Sequence, residues 1–429
     1  MSSRSWAILA PVSRYASPMN HSKVRTLDVL RHADFTYFLA AKLLATLAAQ
    51  MQIVAVGWQI YDVTRDPLDL GLIGLSQFIP FVTLILPAGH VADHYDRRRV
   101  LTVCYATEIV CALALLWFTV QGGARTWPVF AAMMLLGSAR AFQMPSGQAL
   151  LPNLVPREHF SRAVALNSTT FQVATILGPA LGGVVYLLGP RVVYACVAVL
   201  AVGSVALLLP LRGGGRTRTA REPASLATLL FGLKFVRSKP VVLGAISLDL
   251  FAVLLGGATA LLPIFASDIL RVGPDGLGLL RTAPGVGAGV CALALAFSPV
   301  GRNVGPWMFG GVAAFGVATI VFGLSTNFLL SLCALSVLGA ADMVSVYVRQ
   351  LLVQLETPDA IRGRVSAVSS VFIGASNELG DFESGVTAQW WGAVRAVVVG
   401  GVATLVVTGL WMRFFPVLWR MDRFPDPAH

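Results

Sequence analysis

Charge is scarce in this sequence. Of its 429 residues only 12% are Asp, Glu, Lys or Arg, against about 25% in an ordinary globular domain. Hydrophobic residues make up 56%. A soluble chain with this balance could not cover its surface with polar groups, and the same numbers exclude a disordered chain, nucleic-acid binding as the main activity and a secreted disulfide scaffold. Cysteine is sparse too. Cys104, Cys111, Cys196, Cys291 and Cys333 lie inside apolar stretches with no CxxC or Cys/His spacing. They read as small core residues, and neither disulfide nor metal is expected. The six histidines, His21, His32, His90, His94, His159 and His429, fall in arms and loops without ligand spacing. A polytopic membrane enzyme would need such ligands or a nucleophile–base pair near one membrane face, so no enzyme and no cofactor is expected.

Long apolar runs are abundant. A spanning helix needs about 20 mostly apolar residues, and twelve stretches meet this: 35–61, 70–90, 99–120, 127–147, 163–188, 191–211, 241–266, 277–297, 305–325, 328–353, 365–388 and 393–416. Helix is forced here, because open sheet leaves backbone groups unpaired in hydrocarbon and the runs are twice the length of barrel strands. The expected fold is an all-α membrane protein. Residues 1–33 form an N-terminal arm, 34–211 a first six-helix bundle, 212–240 a basic central loop, 241–416 a second six-helix bundle and 417–429 a tail. The apolar run Trp6–Pro11 is too short for a signal peptide, and Met19 is an alternative start.

The net charge of +11 would suggest nucleic acid in a soluble chain. In a membrane chain it reads as topology. With both termini placed in the cytoplasm, 23 Lys and Arg fall inside: five in the arm, Arg97, Arg98 and Arg99, Arg157 and Arg162, seven in the central loop, and Arg302, Arg362, Arg364, Arg413, Arg420 and Arg423. Only Arg65, Arg125, Arg191, Arg271 and Arg395 fall outside, while Lys42, Arg140, Arg281 and Arg349 lie within spans. That asymmetry predicts cytoplasmic N and C termini. The central loop opens with Arg-Gly-Gly-Gly-Arg, and its part from Ser225 to Val236 has the spacing of a helix that lies along the membrane surface.

The two halves are related. A shift of 202 residues aligns 137–183 with 339–385 without gaps and gives 11 identities in 47 positions. Gly137 falls on Gly339, Gln148 on Gln350, Pro156 on Pro358, Arg162 on Arg364, Gly178 on Gly380 and Gly183 on Gly385. Spans 4–5 thus match spans 10–11 in the same direction, which is a parallel repeat of two pseudo-symmetric bundles. The same shift places Arg140 on Asp342. A charge at mid-bilayer costs at least about 2.5–3.5 kcal/mol on the insertion scale, so each must face a cavity or a partner.

Four sequence stretches carry the functional expectations. The loop after span 2 reads Gly89-His-Val-Ala-Asp93-His-Tyr-Asp96-Arg97-Arg98-Arg99. Gly89 permits close helix approach, while Asp93 with Arg97 and Arg98 can form a cytoplasmic latch to a neighbouring helix end. Span 4 carries Arg140, Gln143 and Gly147; an intramembrane Arg stays charged and can hold a carboxylate or organic anion, or a fixed helix–helix salt bridge. Span 5 reads Gly178-Pro179-Ala-Leu-Gly182-Gly183: Pro179 bends the helix and the glycines offer a smooth face. Span 11 holds Asn377, Glu378, Asp381 and Glu383. Glu378 and Asp381, three apart, share one face with Gly374 and Gly385. The three carboxylates of this span are not all expected to be ionised in lipid, so at least one can carry a proton. Asp249, Asp342 and Glu108 are further proton candidates, Glu108 with a loop Arg as an alternative partner. Gln50, Gln52, Trp58 and Gln59 of span 1 are candidate neutral cavity contacts.

These stretches resemble the major facilitator superfamily of transporters. Gly89 to Arg98 is similar to its short-loop motif, with His94 where a basic residue is usual and Asp96 where a turn Gly is usual. Arg140 and Gln143 resemble its span-4 pattern, with Gly147 out of register. Gly178 to Gly183 resembles its antiporter motif, with Ala174 in place of the leading Gly. Leu151-Pro152-Asn-Leu-Val-Pro156, Ile361-Arg-Gly-Arg364 and Asn377–Gly385 resemble the branch that contains exporters of the enterobactin (catecholate siderophore) type and drug-efflux permeases. The resemblance covers roughly residues 32–416. It implies the major facilitator fold in a bacterial cytoplasmic membrane. It also implies a monomer that exports a small organic molecule, a siderophore or drug, in exchange for protons by alternating access. An importer on the same fold and a non-transporting sensor are the alternatives.

Overall fold

The computed structural model describes residues 26–122, 126–211, 226–358 and 361–425. Most of the basic arm, Arg125, the Arg-rich start of the central loop at 212–225 and the last residues of the tail lie outside this set. Among the described residues every regular element is helical. The first bundle comprises α1 (Ala33–Thr64), α2 (Pro67–His94), α3 (Arg97–Val120), α4 (Trp127–Leu150), α5 (Phe160–Tyr186) and α6 (Pro190–Leu208). A linker helix, α7 (Leu226–Ser238), follows. The seventh pass, Pro240–Ile269, consists of α8 (Pro240–Leu255), a 3-10 turn, α9 (Leu262–Ile264) and a π turn, Phe265–Ile269. The remaining passes are α10 (Pro274–Phe297), α11 (Val304–Leu324), α12 (Phe328–Glu356), α13 (Arg362–Trp391) and α14 (Ala393–Phe414), with a final turn α15 (Pro416–Trp419).

Ten passes are long and apolar enough to cross a membrane by length and composition. The two other long helices, α4 and α13, are the ones that carry Arg140 and the Glu378–Glu383 acids. Polar groups at mid-span lower the hydropathy of both, and those groups need partners.

The expected continuous helix at 241–266 is broken. α8 ends at Leu255, and Gly256 and Gly257 leave the helix before Thr259–Leu261 resumes as a 3-10 turn. Hydropathy runs straight through this point, so the apolar run hides the break. Packing explains it: a methyl group at Gly256 would lie 2.6 Å from the Phe315 ring, and one at Gly257 would lie 3.0 Å from the Gly380 carbonyl oxygen. The freed Gly257 carbonyl accepts a 2.5 Å hydrogen bond from Ser384 Oγ, so the unwound backbone is satisfied by α13.

In the first bundle α1 packs on α5 and α6, and α4 packs on α2 and α3; in the second, α12 packs on α10 and α11, and α8 on α13 and α14. Two seams join the bundles, α5 against α10 and α2 against α13. The sequence repeat reappears here as matched contacts. A methyl at Gly137 would meet Gln77 Cα of α2 at 2.8 Å, and one at its repeat mate Gly339 would meet Pro284 Cα of α10 at 2.6 Å. Gly178 abuts Gln50 of α1, and Gly380 abuts the carbonyl of Val253 in α8. Gly183 lies against Gly278 of α10, and Gly385 against Gly71 of α2, with a built methyl 2.9 Å and 2.7 Å from the opposing Cα. Two of the aligned pairs thus make equivalent pass-to-pass contacts within their own halves and the third makes equivalent contacts across the two seams, which is a pseudo-twofold relation read in packing.

Among the described residues twelve alternating passes put the segments at Thr26 and Phe424 at one end of the bundle. The seams close the opposite end, where Tyr61 Oη donates to Asp268 at 2.5 Å and Arg65 reaches Asp268 at 3.2 Å and Ser267 at 3.0 Å. Arg65 holds a left-handed backbone at φ 52° and caps α1. Its ion pairs are about half exposed, and such pairs contribute only about 0–1 kcal/mol. Asp268→Asn is accordingly expected to leave thermal stability nearly unchanged, as measured by a melting curve.

Candidate functional site

The mid-span charges converge between the bundles. Arg140 sits thirteen residues into α4, and its guanidinium donates to Glu378 Oε1 of α13 at 2.8 Å. The Arg140 side chain is 58% exposed and that of Glu378 only 14%. The pair therefore borders an accessible space while its acid is shielded. Arg140 also lies over the Phe81 ring of α2, 5.8 Å from its centroid, a cation–π arrangement. One turn along α13, Asp381 accepts from Thr259 Oγ1 of the broken seventh pass at 3.3 Å. Gly74 of α2 lets α13 approach, since a methyl there would lie 3.1 Å from Asp381 Cβ. Arg281 of α10 lies beside both Asp381 and Glu378, and its buried Nε has no hydrogen-bond partner. Five passes thus supply two arginines, two carboxylates, a hydroxyl and an aromatic face. The charges balance, and one arginine keeps an unfilled donor.

Other expected site residues lie elsewhere. Gln59 turns into the first bundle, where its amide oxygen accepts from Tyr194 Oη at 2.7 Å and its amide nitrogen donates to Thr119 Oγ1 at 2.9 Å. That replaces the expected cavity contact by a core hydrogen-bond network. Gln59→Leu leaves the Tyr194 hydroxyl unpaired, while Thr119 Oγ1 keeps its bond to the Leu115 carbonyl at 2.8 Å, and is expected to lower stability by about 1–3 kcal/mol, read as a lower melting temperature. Gln52 is 2% exposed, with both amide atoms unpartnered. Gln50 lies against Gly178, Gln143 against Tyr105, and Trp58 packs on the core. Asn377 donates to the Ile373 carbonyl of its own helix. Glu383 is half-buried outside the central cluster. Asp249 pairs with Arg349 at 3.2 Å inside the second bundle, and Asp342 lies beside them. Glu108 is buried with an unpartnered oxygen.

The loop after α2 is held differently from the expected latch. Arg97 donates to the Ala149 carbonyl at the end of α4 at 2.9 Å, and Arg98 to the Leu211 carbonyl after α6 at 2.6 Å. These cations tie the loop to orphan carbonyls of helix ends in their own bundle. Asp93 is exposed and outside these contacts. Asp96 caps α3 by accepting from Arg98 N at 2.9 Å, with φ −64°. That turn needs no left-handed residue, so the missing Gly carries no penalty. In the span-5 motif Gly182 abuts Met51 of α1 while Gly183 faces α10. Thr282 Oγ1 of α10 donates to the Ile176 carbonyl at 3.0 Å, just ahead of Pro179, whose ring disrupts the helix ladder there.

Sequence reasoning noted Arg281 and Arg349 only as charges within spans and missed Thr259, Phe81 and the Tyr61–Arg65–Asp268 contact. The two arginines carried a usable signal, a charge at mid-span. Thr259 and Phe81 carried none.

A multi-pass helical membrane protein with this repeat and a charged centre between its bundles is a transporter of the major facilitator type. The chain belongs to the transmembrane secretion effector family, whose model matches residues 24–423. The enterobactin exporter EntS of Citrobacter koseri is 27% identical over 408 residues, covering 92% of this chain and 94% of that protein. EntS of Escherichia coli O1:K1 / APEC is 26% identical over 384 residues, covering 87% and 86%. Among solved structures, a bacterial homologue of the human lysosomal transporter Spinster, inward-facing and unoccupied, superposes with a TM-score of 0.71 at 14% identity, covering 92% of this chain and 99% of that one. A D-xylose-proton symporter gives a TM-score of 0.69 at 14% identity with the same coverage. At that identity the structures speak for the fold alone.

Proposed function

We propose that the protein is a proton-coupled exporter of a small hydroxyl-rich aromatic molecule of the catechol siderophore type. It would act as a monomer in a bacterial cytoplasmic membrane with both termini inside. The observation that carries this reading is the Arg140–Glu378 pair, which joins the two bundles at mid-span. The similarity to enterobactin exporters supports the substrate class.

The sign of coupling follows from what competes at the carboxylates. A phenolic hydroxyl donates most strongly to Glu378 or Asp381 while the carboxylate is ionised. A proton on the same oxygens weakens that acceptor, so substrate and proton oppose one another, and by linkage each lowers the affinity for the other. Exchange is the result. A substrate held through its own negative charge behaves oppositely, because protonating Glu378 frees Arg140 to bind it. Such an anion would be co-transported, as in an importer. The catechol ring suits Phe81 and Arg140, and its hydroxyls suit the two acids.

Equilibrium binding of enterobactin to the purified protein in detergent tests the reading. Affinity is expected to fall as the pH is lowered, and the fall is expected to be smaller in Glu378→Gln, where Asp381 alone still titrates. Affinity that rises on acidification would favour co-transport.

A further inference from the structure

We propose that the second bundle holds a separate proton-binding site, formed by Asp249, Asp342 and Ser345 beside Arg349 and away from the substrate groups. The central cluster balances two arginines with two acids. The second cluster does not: Arg349 pairs with Asp249 at 3.2 Å, and the charged groups facing Asp342 are Asp249 from α8 and Arg349 from its own helix α12. From α11 only Val312 and Phe315 border the site. Asp249 is 5% exposed, Arg349 3% and Ser345 2%, and Asp342 is half-buried. One net negative charge in such surroundings is costly, and a proton on the acid pair removes it.

Geometry gives the proton a place. Asp249, Asp342 and Ser345, with Ala252, Val253, Val312 and Phe315, enclose a void of about 10 Å³, enough for about one water molecule. The Ser345 hydroxyl bordering this void is buried without a hydrogen-bond partner, as is Arg349 Nε. A protonated carboxyl, or a hydronium between the acids, would supply what the hydroxyl lacks.

The site also touches the broken part of the seventh pass. Phe315 borders the void and packs on Gly256, where α8 breaks. Beyond the break, the Gly257 carbonyl and Thr259 contact Ser384 and Asp381 of α13. A change of charge at Asp342 therefore has a contiguous packed route to the central acids. Its role in transport rests on the proton-exchange reading above, whereas the existence of the site does not.

Infrared difference spectroscopy of the purified protein in proteoliposomes, titrated with acid, tests the site directly. The protonated-carboxyl band of the wild type is expected to lose one carboxyl's share in Asp342→Asn and to keep that share in Glu378→Gln. An undiminished band in Asp342→Asn would overturn the assignment. Should Asp342→Asn fail to fold, Ser345→Ala is expected to move the titration midpoint of that share, and an unmoved midpoint would overturn it equally. Sodium added at constant pH is expected to leave the band intact; its loss would make the site a sodium site instead. If the band behaves as proposed while an uncoupler leaves uphill export untouched, the site stands and the proton-exchange reading fails.

Discussion

Arg140→Ala is expected to cut export of a catechol siderophore by about 10–100-fold, because a hydrogen bond to a charged group contributes about 1.5–3 kcal/mol. The loss has two sources. Among the described residues the variant removes the cation that the first bundle presents to Glu378, and it leaves that shielded carboxylate with only the neighbouring Arg281 of α10 to offset its charge. Arg140→Lys keeps the charge but has one compact donor group where the guanidinium has a fork that also stacks on Phe81. Partial recovery, about halfway on a logarithmic scale, is expected. Glu378→Gln keeps the shape of a protonated carboxyl. It is expected to bind substrate at a level that depends less on pH and to lose uphill export while retaining downhill exchange. Initial rates in proteoliposomes separate these outcomes. Equal uphill rates in wild type and Glu378→Gln would remove Glu378 from coupling.

Gly183→Leu is expected to prevent closure of the end opposite the termini. Gly183 lies against Gly278 in the α5–α10 seam, and Gly385 lies against Gly71 in the α2–α13 seam, each with backbone where a side chain would go. Overpacking of this kind costs about 1–3 kcal/mol, which shifts the population of the closed form by about 5–150-fold. The exposed pair between Arg65 and Asp268 cannot compensate, since it contributes at most about 1 kcal/mol. Spin labels at Leu188→Cys and Arg271→Cys, in a chain freed of native cysteines, report the gap across this end. A longer distance and abolished transport are expected in Gly183→Leu and, by the repeat, in Gly385→Leu. An unchanged distance in both variants would show that the seams do not set the closed form.

The fold was legible because lipid removes the alternatives. Apolar runs of spanning length can only be helices, and the glycines aligned by the 202-residue shift proved to make the same contacts in both halves. The break at Gly256–Gly257 was not legible, because two glycines within an apolar run change no hydropathy. The central site was half legible. Arg140, Glu378 and Asp381 stood out because charge is rare in spans. That Arg140 meets Glu378, 238 positions away, depends on how α2 and α13 pack through Gly71, Gly74 and Gly385. Gln59 was misread for a complementary reason. Its partner Tyr194 lies in an otherwise apolar run of α6, and a hydroxyl there gives no sign that it will satisfy a glutamine from α1.

The central claim is outward, proton-driven movement through the Arg140–Glu378 centre. Uptake of enterobactin into inverted membrane vesicles tests it most directly. Accumulation on energisation, its collapse on addition of an uncoupler, and its absence in Arg140→Ala are the predicted result. Accumulation only in right-side-out vesicles, or uphill transport that survives the uncoupler, would contradict the account.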